Sequence, residues 1–180
     1  MRKLNIFLVI AIFVTFAAHA VAGALKLYDA DIQSLPVLAF ACLGAVGLHV
    51  IVTSVLTIQT LIARKRSGAG YFRDNLMFWA RRISGFALLI PLVLHILTFI
   101  GNNSSGAFRL NEFGNAQLIL QILFVILIAF HVFTNIGPAL ISLGVRNKKA
   151  FAADMIFVIS VILLFAAGAF CIYYLRWAAL

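Results

Sequence analysis

The stretch "WARRISGFALLIPLVLHILTF", residues 79–99, decides the fold. Two arginines and a Ser-Gly pair open it, an apolar run containing Pro91 follows, and His95 stands between Leu94 and Ile96. An apolar run of this kind crosses the hydrocarbon of a bilayer as a helix of about 20 residues. Four more such runs predict helices near residues 4–25, 35–62, 116–143 and 151–174, beside the one at 77–100. A backbone polar group left unsatisfied in lipid is so costly that spans of this length must be helical. A β-barrel would need short alternating segments, and none is visible. Composition agrees, with 64% of the 180 residues hydrophobic and 11% charged, against roughly a quarter charged in soluble domains. The expectation is an all-α integral membrane protein, one five-transmembrane-helix bundle over residues 1–180 with short connections.

The net charge of +9 invites a nucleic-acid reading, but the basic residues are sorted by side. Arg2 and Lys3 precede the first span. Arg64, Lys65, Arg66, Arg73, Arg81 and Arg82 surround the second connection, and Arg146, Lys148 and Lys149 fill the fourth. The remaining connections and the C-terminal tail hold only Lys26, Arg109 and Arg176. Such an asymmetry places the N-terminus in the cytoplasm and the C-terminus outside. The charge thus reports topology and predicts no nucleic-acid partner, although the cluster at Arg64 to Arg66 also suits anionic lipid or a partner subunit. "AHA" at residues 18–20 resembles a signal-peptidase site. The apolar run before it is longer than the 7 to 15 residues of a signal core, so the first helix is expected to be retained. Cys42 and Cys171 lie singly in separate spans, without a CxxC or CxxCH pattern, and read as apolar packing.

His19, His49, His95 and His131 are the only histidines, one in each of the first four spans. A single intramembrane histidine is as easily a hydrogen-bonded core residue as a functional one. Four together carry more weight, and depth discriminates among them. At 1.5 Å per residue, His19 lies six residues and His95 five from the outer ends of their spans, roughly 8 to 9 Å below the outer edge. His49 and His131 lie 13 and 12 residues from the inner ends of theirs. Two level pairs result, separated by roughly 12 Å along the membrane normal.

Two nitrogens bound to one metal must lie within about 4 Å of each other. Only His19 with His95, and His49 with His131, can meet that condition. No thiolate or carboxylate lies level with either pair to complete a zinc or di-iron site. A planar macrocycle that supplies four nitrogens and takes two axial ligands fits better, and haem does this with histidine. Gly44, Gly47 and Gly137 offer room for close approach, as ordinary helix packing also would. Arg81, Arg82 and Ser84 lie at the cytoplasmic mouth of the third span, placed to bind haem propionates. As positive-inside markers the two arginines need no such role, and Trp79 suits an interfacial belt equally well. Pro91, four residues before His95, removes one helix hydrogen bond and predicts a kink near that residue.

These residues resemble a known family: the single-chain, five-helix, di-haem cytochrome b subunit that anchors succinate:menaquinone oxidoreductases and fumarate reductases. "WARRISGFALLIPLVLH" is similar to the family's third-helix pattern, a Trp, a short polar stretch, Ser or Thr with Gly, then His ten positions after the Gly. "HVFTNIGPALISLG" is similar to its fourth-helix pattern. Four ligand-bearing helices followed by one without also match, so the resemblance covers nearly the whole chain.

The resemblance implies two haem b groups, the outer held by His19 and His95 and the inner by His49 and His131, with Trp79, Arg81, Arg82 and Ser84 as candidates near the propionates. It implies a respiratory electron-transport subunit, inactive alone, in a bacterial-type inner membrane. A cytoplasmic flavoprotein interconverting succinate and fumarate would dock through an iron-sulfur subunit, with menaquinone as the membrane substrate and a higher oligomer of the complex possible. Some relatives carry a glutamate two residues before the fourth histidine; this chain has Ala129, which removes that proton route. Asp29 and Asp31 are the nearest acids for quinone chemistry near the outer haem, with Glu112 third, though exposed loop acids need no function. Three other readings compete: a quinone-linked cytochrome b of another dehydrogenase, a haem-free small transporter with histidine relays, and a haem-free scaffold.

Overall fold

The apolar runs form helices whose ends follow the chain's polar breaks. In the computed structural model, which describes residues 2–67, 76–100, 110 and 113–178, the described elements are α1 (Arg2–Leu27), α2 (Leu35–Ser67), α3 (Leu76–Ala87), α4 (Leu89–Phe99), α5 (Asn115–Ser142) and α6 (Lys148–Ala178). Taken together, α3 and α4 are the third span, so five segments are long and apolar enough to cross a membrane. Arg73, Arg109 and Glu112 lie outside the described residues.

Boundaries differ from expectation at several ends: α6 starts at Lys148, taking Lys148 and Lys149 from the connection into its first turn, and runs on to Ala178, and two further differences bear on the site. First, α2 runs on to Ser67, so Arg64, Lys65 and Arg66 occupy its last turns rather than a connection. Lys and Arg are strong helix formers and are favoured at a helix C-terminus. Second, the third span divides at Leu88, which keeps right-handed helical angles (φ −66°, ψ −22°). Leu88 N–H still donates to the Ser84 carbonyl at 3.1 Å, and Leu92 N–H to the Leu88 carbonyl at 3.0 Å. Pro91 has no N–H to give the Ala87 carbonyl, so the division falls just after Ala87, seven residues before His95.

Buried side chains gather in two clusters along α1, α5 and α6. One cluster, near the C-terminal ends of α1 and α6, joins Ala24 and Leu27 of α1 to Ala169, Phe170 and Tyr173 of α6. Into it the connection before α5 drops Leu110 and Phe113, which are 1% and 0% exposed and among the most deeply buried large side chains described. A connection between spans thus supplies part of the core. The Tyr173 hydroxyl accepts the buried Leu110 N–H at 2.8 Å. At the same end the Arg176 guanidinium donates to the Asp29 carboxylate, and Tyr174 donates to Asn115 Oδ1. The other cluster packs Ile136 and Leu140 of α5 on Ile159 and Leu163 of α6, with Phe13 and Phe16 of α1 against them. Ala129 packs on this cluster.

Helix neighbours follow from these clusters. α1 lies along α2 and α6, and α5 lies along α6 and along both α3 and α4. Among the described residues, α1 makes no more than marginal contact with α4, and α2 no more than that with α5. Exposed Phe40, Ile51 and Ile58 on α2 and Phe157 and Leu164 on α6 turn apolar surface outward, as lipid requires.

Candidate metal centre between paired histidines

Each histidine pair spans two helices that, among the described residues, make no more than marginal contact with each other, α1 with α4 and α2 with α5. His19 of α1 and His95 of α4 face each other with ring centroids 6.3 Å apart and planes at 85°. His49 of α2 and His131 of α5 are close enough to interact electrostatically, and Arg82 of α3 is within the same range of both. Of the pairs that depth predicts, His19 and His95 are in ring proximity, and His49 and His131 are within electrostatic range of each other.

The outer distance has a chemical meaning. Two imidazoles on opposite sides of one metal, with bonds of about 2.0 Å and about 1.1 Å from nitrogen to ring centre, stand roughly 6.2 Å apart. The same spacing and tilt also belong to an ordinary edge-to-face ring pair, whose centroids stand about 4.5 to 7 Å apart, so the distance is compatible with a metal between the rings and does not require one. No group of three or more His, Cys, Asp or Glu side chains gathers at one point among the described residues. Each pair thus offers two nitrogens, which suits a metal already held in a macrocycle.

On α4 and α5 the outer nitrogens of these rings are tethered. His95 Nδ1 lies 2.7 Å from Gln121 Oε1, and because an amide oxygen only accepts, Nδ1 carries the proton. His131 Nδ1 lies 3.0 Å from Ser84 Oγ, whose own proton goes to the Arg81 carbonyl at 3.1 Å. With that proton committed, the hydroxyl accepts Nδ1–H. In both rings Nε2 is left as the nitrogen with a free lone pair, and a hydrogen bond at the other nitrogen is the usual support of a metal-ligating histidine. His19 Nδ1 and His49 Nδ1 are buried with no hydrogen-bond partner.

Glycine lets the inner tether form. A Cβ built on Gly85 would stand 3.0 Å from His131 Cε1, well inside carbon–carbon contact of about 3.5 to 4.0 Å. At Gly44, Gly47 and Gly137 an added Cβ would meet nothing within 4 Å, so close approach falls to Gly85 alone of these four. Ser84 is 5% exposed and meets His131 directly. The Arg82 guanidinium sits over the Phe78 ring at 5.3 Å, and Trp79 meets that ring edge-on at 5.5 Å. Thr53, Thr134 and Asn135, all near the inner histidines in sequence, bond back to the carbonyls of His49 and His131 on their own helices.

Of the candidate acids, Asp29 is engaged by Arg176, while the Asp31 side chain is 78% exposed and 3.9 Å from Lys26. Gln121 is the site residue that pattern reading misses. It lies six residues inside the outer end of α5, level with His95, and a lone amide in an apolar run at that depth is the signal that could have found it.

Fold and site together define a multi-pass helical membrane protein with two cross-helix histidine pairs. The chain matches no family model, no curated protein and no solved structure.

Proposed function

We propose that the chain is a di-haem cytochrome b membrane anchor of the succinate dehydrogenase and fumarate reductase type. The observation that carries this reading is the His19–His95 ring pair, made at 6.3 Å between helices in no more than marginal contact, with His49 and His131 within electrostatic reach of each other. His19 and His95 would hold the iron of the outer haem, and His49 and His131 that of the inner. Bound there, the two haems supply one-electron carriers at two depths of the membrane. The chain's own residues set their axial nitrogens, exclude water and hold the spacing. Arg81 and Arg82 are placed to neutralise propionates of the inner group, and Ser84 orients His131. The basic face formed by Arg64 to Arg66, Arg81, Arg82 and Arg146 to Lys149 is cytoplasmic and receives an iron-sulfur subunit with its flavoprotein. The outer end, where Asp31 is the freer acid, faces the opposite side and menaquinone. The membrane is a bacterial-type plasma membrane.

The test is a reduced-minus-oxidised visible spectrum of the purified protein with pyridine haemochrome quantification, repeated on His19→Ala and His49→Ala. Two b-type haems per chain, with each substitution removing a different one, are expected. A folded protein without haem would refute the reading and return the histidines to proton handling or structure.

A further inference from the structure

Gln121 is 0% exposed, and its two ends meet different fates. Oε1 takes the Nδ1 proton of His95 at 2.7 Å, whereas Nε2 is buried with no hydrogen-bond partner. A buried amide with half its capacity unmet costs the fold more than a leucine would. Stability therefore gives no reason for glutamine here, and the ring it serves does. Phe99 and Phe124 close on that ring at 4.9 and 5.3 Å, and His19 stands across from it. His95 is thus confined by α4 and α5 while its Nε2 edge stays free.

We propose that Gln121 is a positioning residue of the outer haem, one that also tunes its reduction potential. The assignment rests on the di-haem reading above. By accepting Nδ1–H, the amide oxygen pushes electron density into the imidazole and makes Nε2 a stronger donor. A stronger donor stabilises the oxidised iron more than the reduced, so the outer haem has a lower potential than an untethered His95 would give it. The inner haem has a different tether, because the Ser84 hydroxyl that accepts from His131 is a weaker acceptor than an amide oxygen. The protein thereby sets its two levels apart through the hydrogen bond behind the ligand, a recognised lever on haem potential.

The experiment is a potentiometric titration of the haem-loaded wild type, Gln121→Leu and Gln121→Glu, the last in alkaline buffer so that the new carboxyl is ionised. The outer signal is the one lost in His19→Ala. Gln121→Leu removes the acceptor and is expected to raise the outer potential by about tenfold in the one-electron equilibrium, ~59 mV. Gln121→Glu supplies a stronger acceptor and is expected to lower it, with the inner potential unmoved in both. A residue that merely fills space would give shifts of one sign or none, and either result overturns the proposal. If Gln121→Leu fails to retain the outer haem, Gln121→Glu decides alone: a lower potential supports the tether, an equal or higher one overturns it. A wild type without haem overturns the parent reading, whereas a di-haem wild type with unresponsive variants overturns only this assignment.

Discussion

Gly85→Ala separates the fold from the site, because it improves one and damages the other. In the interior of a helix, alanine is favoured over glycine by about 0.5 to 1 kcal/mol, so α3 gains intrinsic stability. The new Cβ, however, stands 3.0 Å from His131 Cε1, and relief to ordinary contact requires the ring or the helix to retreat by about 0.5 Å. Metal–ligand distances in formed sites hold to about ±0.2 Å, so a shift of a few tenths of an ångström at His131 matters to a metal held there. The same retreat stretches the Ser84 to His131 hydrogen bond from 3.0 Å towards about 3.5 Å, where little of it remains. On the proposed di-haem reading, the expected variant is well folded, binds its outer haem normally, and has lost the inner haem or holds it with a shifted potential and spectrum. The assay is haem stoichiometry by pyridine haemochrome beside a thermal melt and size-exclusion profile of the same preparation. Two haems with unaltered spectra and potentials would refute the reasoning, since the ring would then not be where the ligand geometry needs it.

Ser84→Ala leaves His131 Nδ1 without an acceptor and is expected to weaken inner haem retention by about 10- to 100-fold, measured as haem loss to an apo-globin scavenger, with the outer haem unaffected. Tyr173→Phe orphans the buried Leu110 N–H at a cost of about 1 to 3 kcal/mol; the melting temperature in detergent falls by several degrees while the haem count holds. Arg176→Ala breaks an ion pair whose side chains are 51% and 32% exposed, so its cost is about 0 to 1 kcal/mol and the melt scarcely moves.

Depth in a membrane is legible in a sequence because the rise per residue is constant, which is why His19 is matched with His95 and His49 with His131 before any coordinates. Azimuth is not legible, because the direction a side chain faces depends on which helix packs beside it. For this reason Gly44, Gly47 and Gly137 attract attention while Gly85 makes the contact, and Ser84 looks like a propionate ligand while the structure sets it against His131. The burial of Leu110 and Phe113 is equally hidden, since a connection is expected to be polar, whereas these two pack among Ala24 and Leu27 of α1 and Ala169, Phe170 and Tyr173 of α6. What the sequence does contain is a spacing whose meaning appears only once α5 is known to run antiparallel beside α3 and α4. Ten residues separate Gly85 from His95, and ten separate Gln121 from His131. Run in opposite directions, those equal steps set His131 against Gly85 and Gln121 against His95 in one register. Sliding α5 by one residue would move it about 1.5 Å and break both tethers together. The inner and outer sites are therefore one structural commitment, and selection on either histidine's tether constrains the other.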